Sequence, residues 1–268
     1  MIEIEKLYFS YPGIPVLEDL STTFKEGRIY GLLGENGVGK STLFKLMCAL
    51  LTTKHGTIKI DGTVVERKPS CLSKIYYVPE DFDGPDIAIK NYAAGVSQFY
   101  PNYDAELFAR LLADFEIDAN RKFTNLSLGQ RKRAVIALAL ALKTDYLFLD
   151  EPTNGLDIPS KALFRRMMAA AMDEKRTIII STHQVRDVEN LLDHIMILDR
   201  RSVLLDKSVS DIQQEYEFGV SANAPEGSLY VEPGLGGCTY ICENKSGEES
   251  RMNIEILFNY INLKNKQK

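Results

Sequence analysis

Long hydrophobic runs are missing from this 268-residue chain. No segment approaches the ~18 uncharged apolar residues that a membrane-crossing helix needs, so the chain is not expected to span a bilayer by itself. An export signal is missing too: the start, MIEIEKLYFSYPG, carries acidic residues where such a signal has a basic flank and an unbroken apolar core. Positive charge is not in excess. With 32 basic against 37 acidic residues the net charge is −5, which removes any general attraction to nucleic acid or anionic lipid. Cysteine is scarce, and Cys48, Cys71, Cys238 and Cys242 contain no paired CxxC of the kind that holds zinc. They read as reduced thiols of a cytosolic chain, and the CTYIC spacing of Cys238 and Cys242 in a β-rich stretch reads as packing rather than a metal site. There is no internal repeat and no low-complexity tract.

What is present suits a globular core: 45% hydrophobic and 26% charged residues, in a length fit for one large domain or one domain with a small appendage. The first quarter has the pattern of strands. IEIEKLYF alternates, RIYGLLG is a short apolar run ending in glycine, and TIKIDGTVV is a hairpin around Asp61-Gly62. A helix follows RIYGLLG, with Leu43, Leu46, Met47 and Leu50 at i, i+3, i+4 and i+7 on one face. From about residue 87 to 144 the period is helical. There DAELFARLLADFEI puts Leu107, Phe108, Leu111, Leu112 and Phe115 on one stripe, behind Asp104 as N-cap. YLFLD and TIIIS then flank the amphipathic KALFRRMMAAAM, the βαβ alternation of a parallel sheet, and two more strands follow. Beyond about Glu217, glycines, the short strands SLYVEP and TYICEN, and a final NIEILFNYI suggest a small C-terminal addition.

GENGVGKS, residues 34 to 41, fits the phosphate-loop pattern and stands between an expected strand and an expected helix, the context that pattern requires. Gly34, Gly37 and Gly39 permit backbone angles that turn successive N–H groups toward phosphate oxygens. Asn36 lies within the same loop. Lys40 adds a point charge, Ser41 a hydroxyl for Mg²⁺, and Thr42 a further phosphate contact. YLFLDEP ends an apolar strand in two carboxylates beside that loop. Asp150 can hold Mg²⁺ through water, while Glu151 can orient or deprotonate an attacking water. STHQ brings His183 to the same sheet edge, where it can donate a hydrogen bond to the γ-phosphate. His55 and His194 read as structural. NLSLGQRKR, ahead of the apolar AVIALALAL, builds an anion site at a second helix N-terminus.

With the phosphate loop, NLSLGQ, YLFLDEP, NGLD and STHQ in this order, the chain resembles the ATP-binding subunit of an ABC transporter over about residues 1 to 206, and its tail resembles that of export-type subunits. The resemblance implies an α/β fold of the P-loop NTPase, ABC-ATPase type. That fold has a mainly parallel core sheet, an N-terminal antiparallel β subdomain and a helical insertion, here with a small C-terminal α+β extension. Residues 1–215 would form the ATPase domain, with the insertion at about 87–144, and 216–268 the extension. It implies an ATPase that uses ATP and Mg²⁺, and a head-to-tail pairing with a second copy or a homologous ATPase subunit. In that pairing Ser127, Gly129 and Gln130 of the signature hold the partner's γ-phosphate, and Asp157 crosses near the partner's phosphate loop. Tyr11, in FSYPG, would stack on adenine; an aromatic in an early strand otherwise serves the core. Glu80 stands where glutamine is commoner and would face either the metal or the partner's surface, and Leu128 stands where the signature usually has glycine. An integral-membrane permease is the implied partner, docking between the sheet and the insertion near residues 80 to 100. That places the chain on the cytoplasmic face of the membrane with no nucleic acid, and makes export the expected direction. The alternative is a soluble mechanical ATPase of the same superfamily acting on ribosomes or DNA.

Overall fold

The structure is a computed structural model that describes residues 1–199, 202–245, 247 and 249–266. Strand β1 (Ile2–Tyr11) runs into β2 (Ile14–Phe24) as an antiparallel hairpin that turns at Pro12-Gly13. Its expected alternation is broken once. Lys6 takes a left-handed backbone (φ 45), the register shifts between Ile4 and Leu7, and all three apolar residues Ile2, Ile4 and Leu7 thereby stay buried. Next come β3 (Ile29–Leu33), helix α1 (Lys40–Met47), β4 (His55–Ile60) and β5 (Thr63–Val64). The β4–β5 turn is the one expected, with Asp61 at φ 51 and Gly62 at φ 74, both left-handed as a two-residue hairpin turn requires. Helix α1 stops sooner than its pattern implies: Cys48 caps it, Ala49 turns left-handed, and Leu50 lies exposed instead of on the buried face.

Helix α2 (Pro69–Leu72) and β6 (Ile75–Val78) lead to the helical stretch: α3 (Ile89–Ser97), α4 (Ala105–Asp114) and α5 (Leu128–Ala141). Asp104 does cap α4, accepting from the Leu107 amide at 2.8 Å. Then follow β7 (Tyr146–Asp150), α6 (Ile158–Ala170), β8 (Thr177–Ser181), β9 (His194–Leu198) and β10 (Val203–Ser208). Helix α7 (Val209–Glu215) precedes β11 (Tyr216–Ser221), β12 (Tyr230–Gly234), β13 (Gly237–Glu243) and α8 (Ile254–Lys266).

Three sheets result: β2-β1-β4-β5, all antiparallel; β10-β9-β3-β8-β7-β6, parallel except at the β10 edge; and the antiparallel β11-β13-β12. The central sheet is covered on both faces, which is why its strands read as unbroken apolar runs. Ile29 and Leu33 of β3 with Leu147 and Leu149 of β7 face one core, shared with α4, α5, α6 and α8. Tyr30, Leu32, Tyr146 and Phe148 face another, shared with α1 and the N-terminal sheet. The C-terminal sheet and α8 join the first of these cores through Phe218, Ile241, Ile254 and Leu257. The four cysteines are free thiols; burial drives the Cys48 thiol far above its ordinary pKa, and among the described residues no cluster of three His, Cys, Asp or Glu is placed to hold a metal. Nor is any described helix long and apolar enough to cross a membrane.

Candidate active site

The site begins where β3 ends. Gly37 (φ 79) and Gly39 (φ 111) are left-handed, as the loop reading requires, and Gly39 is the N-cap of α1. Gly34 departs from that reading. It has no left-handed backbone; a Cβ there would come within 2.6 Å of the Leu198 carbonyl and 2.7 Å of Val38 Cγ1, so glycine serves the close packing of the loop on β9. Lys40, in the first turn of α1, is buried, and its ammonium donates to the carbonyls of Gly34 (2.8 Å) and Glu35 (3.2 Å). Burial lowers its pKa from the ordinary lysine value, against the upward pull of Glu151, Asp150 and Glu80. A polyanion at the loop would favour the charged form and offset that burial.

The order β3-β8-β7 brings the carboxyl end of β7 next to the loop, and the parallel register pairs Asp150 with Ser181. Asp150 is buried; Oδ1 accepts from the Ser181 hydroxyl and Oδ2 from the Tyr77 phenol at 3.0 Å. Burial, followed by the Asp150 charge, raises the Tyr77 pKa, so that phenol stays a donor. Glu151 follows in a left-handed turn (φ 45), with its amide donating to Ser181 O at 3.0 Å and Oγ at 3.2 Å. Its carboxylate meets His183: Oε1 lies 2.7 Å from Nδ1, and Oε2 accepts from the His183 amide at 3.4 Å. Glu80 Oε1 accepts from Asn154 Nδ2 at 2.9 Å.

These groups share a cavity of about 480 Å³, lined by Tyr11, Val16, Asn36, Gly37, Gly39, Lys40, Ser41, Thr42, Glu80, Asp150, Glu151 and His183. Tyr11 is therefore at the cavity wall and not in the core; it packs edge-on against Phe9, with its hydroxyl 3.5 Å from Thr42 Oγ1. One end offers a nest of main-chain amides and an ammonium, the other a carboxylate pair and an imidazole. That is a set for binding a polyphosphate and directing water at it.

Ser127, Gly129, Gln130 and Asp157 do not line this cavity. Ser127 caps α5, its hydroxyl accepting from the Gln130 amide (3.2 Å) while its own amide donates to Gln130 Oε1 (3.1 Å), so Gln130 is bound into a capping box. A Cβ on Gly129 would meet Gly155 O at 2.9 Å, so the signature packs directly on the loop that follows Glu151. Asp157 caps α6, accepting from the Ser160 amide at 2.9 Å, and its hydrogen bonds to Ser160 hold its pKa below the usual carboxylate value.

The sequence profile of the ABC transporter family matches residues 17–154, just over half of the chain. The ABC transporter ATP-binding protein YtrB of Bacillus subtilis is 30% identical over 218 residues, 81% of this chain and 75% of YtrB. The chain belongs to the ABC transporter ATP-binding family. A Listeria monocytogenes protein assigned by name to the same class is 32% identical over 253 residues, 88% of this chain and 90% of that one. Among solved structures, the ATP-binding subunit of an ABC transporter superposes with a TM-score of 0.71 over 80% of this chain and 92% of that one, at 24% identity, which is a likeness of fold. As an ABC ATP-binding subunit the chain binds and hydrolyses ATP. Four polar residues of this ABC ATPase site escaped the sequence reading: Tyr77, Ser181, Asn154 and Lys132, whose ammonium donates to the Glu151 carbonyl. Ser181, which opens STHQ, Asn154, which opens NGLD, and Lys132, within NLSLGQRKR, lie in motifs read from the sequence without a role of their own; Tyr77 carried no signal.

Proposed function

We propose that this ABC ATPase works as half of a head-to-tail pair with two nucleotides between the subunits, and that closure and reopening of the pair drive a separate integral-membrane permease. One observation carries the pairing: the signature cap, with Ser127 exposed and Gly129 half-buried, lies outside the cavity lined by the chain's own phosphate loop. The Ser127 and Gln130 amides are satisfied within the capping box, which leaves the Ser127 hydroxyl hydrogen and the Gly129 amide for an anion from elsewhere, and a second subunit, identical or homologous, supplies one. In each site Lys40 and the loop amides bind the β- and γ-phosphates, Tyr11 stacks on adenine, Glu151 orients the attacking water, and His183 donates to the γ-phosphate. Ser41, Asp150 and Glu80 offer only hard oxygen donors around one cavity, which fits Mg²⁺; when bound, that ion neutralises phosphate charge. Residues 216–268 are read as an extension of the ATPase domain 1–215.

Relatives named as ABC transporter ATP-binding proteins support a permease rather than ribosomes or DNA as the partner, and with it a position for this chain at the cytoplasmic face of the membrane. Such relatives serve both Nod factor export and zinc uptake. Export is the direction we propose for this chain, on the resemblance of its closing helix α8 to the tails of export-type subunits. The pairing is tested with Glu151→Gln, which keeps the binding groups and removes the carboxylate. With excess Mg-ATP the variant should elute from a sizing column as a dimer and return to monomer when the nucleotide is removed. Elution as a monomer at every Mg-ATP concentration refutes the sandwich.

A further inference from the structure

Lys132 is a buried lysine one turn into the signature helix α5, where the mechanism above gives it no task. Its ammonium donates to the main-chain carbonyl of Glu151 at 2.8 Å, and the Asn154 amide reaches the same carbonyl at 3.3 Å. Glu151 has φ 45, a conformation that an L-residue keeps only when its surroundings impose it. Here they act on both sides of the residue. Ser181 takes the amide through its carbonyl and hydroxyl, and Lys132 takes the carbonyl. With both ends of the residue fixed, the carboxylate is aimed into the cavity and against His183.

We infer that Lys132 is a positioning residue for hydrolysis: its ammonium locks the left-handed turn at Glu151 and ties that turn to the helix whose cap, Ser127, faces the neighbouring subunit. The bond runs from a helix that meets one nucleotide to the main chain of the residue whose carboxylate serves the other. Its geometry therefore couples the two sites of a pair. Burial lowers the lysine's pKa, and the charges of Glu80, Asp81, Glu151 and Asp150 oppose that shift, so the ammonium also offsets the acidic side of the cavity. This inference rests on Glu151 as the group that orients water, and the test separates the two.

The experiment is steady-state Mg-ATP hydrolysis by the full chain, with any co-purifying permease, for Lys132→Met, Lys132→Gln, Glu151→Gln and the double variant Lys132→Met with Glu151→Gln. Lys132→Met keeps an apolar stem but loses the donor, and kcat should fall about 10- to 100-fold with KM within about twofold of the parent, the cost of a misaimed group. Lys132→Gln, with an N–H on a shorter stem, should retain more turnover than Lys132→Met. In the Glu151→Gln background, Lys132→Met should change the residual rate by less than about threefold, because it acts through a carboxylate already removed. The proposal is overturned if Lys132→Met keeps the parental kcat, if the loss falls on KM, if the same fold-loss recurs without Glu151, or if neither lysine variant folds. A Glu151→Gln protein that turns over like the parent sinks both readings; a stalled one beside an unimpaired Lys132→Met sinks the lysine's role alone.

Discussion

Gly39 occupies φ 111 at the cap of α1, and a side chain there would come within 2.9 Å of Val16 Cγ1 and 3.0 Å of Leu17 Cδ2. Both the backbone angle and the space forbid one. Gly39→Ala should therefore move the loop amides away from the phosphate positions and raise the Kd for Mg-ATP at least tenfold in calorimetry, a loss of about 1.4 kcal/mol or more. Parental affinity would show that the nest is not the phosphate site. The loop, the carboxylate pair and His183 were legible because each belongs to a contiguous motif whose spacing carries its chemistry. Tyr77, Ser181, Asn154 and Lys132 were not. Ser181 meets Asp150 only through the β7–β8 register, and Lys132 meets Glu151 only because α5 packs beneath that strand end, facts of sheet order and helix packing that no local pattern encodes. Gly34 shows the reverse error: its motif position suggested a strained backbone, while its need for glycine comes from the approach of Leu198.

At the level of elements, the β4–β5 turn joins two sheets. Asp61, in that turn, accepts from Lys74 just before β6 at 2.6 Å and from the Tyr146 phenol at the start of β7 at 2.5 Å. Burial pushes the Asp61 pKa up, but the hydrogen bonds from Lys74, Tyr146 and the Met1 ammonium together outweigh it and hold the pKa at about 2. A carboxylate depressed in the folded state stabilises it fully above the unfolded pKa, here 3.8, and that contribution is lost as pH falls toward 2. Asp61→Asn should lower Tm at pH 7 by about 1–3 °C, as expected for a partly exposed pair in a chain of this size. The gap to the parent should narrow below about pH 4, followed by thermal scans across that range. A gap independent of pH would assign the loss to packing. The Asp-Gly turn itself was readable from two residues, and so was the Asp104 cap. The bulge at Lys6 and the early end of α1 were not, because each is set by what the strand or helix must bury against a neighbouring layer.

At the scale of the whole molecule, the stretch expected to meet the proposed permease includes α3. A groove of about 810 Å³ runs there between Leu72, Ile87, Tyr92, Val96, Phe99 and Tyr100, within and next to the stretch expected from sequence to dock a partner. Phe99 stands 73% exposed just after α3, a large aromatic that contributes little to this chain's own core. Aromatic anchors of that kind carry much of the energy of protein interfaces, about 2 kcal/mol or more when removed, which is roughly a 30-fold loss of affinity. Phe99→Glu puts a charge into the same groove without touching the nucleotide cavity. Its Tm should stay within about 1 °C of the parent, because exposed substitutions have small effects on stability. Basal Mg-ATP hydrolysis by the purified chain should stay within about twofold. What should change is location: in fractionated cells the variant should leave the membrane pellet for the supernatant, and the membrane protein that co-purifies with the parent should be depleted. Retention in the pellet with its partner would mean that the ATPase engages its permease through another face, and the groove beside α3 would then need a different occupant.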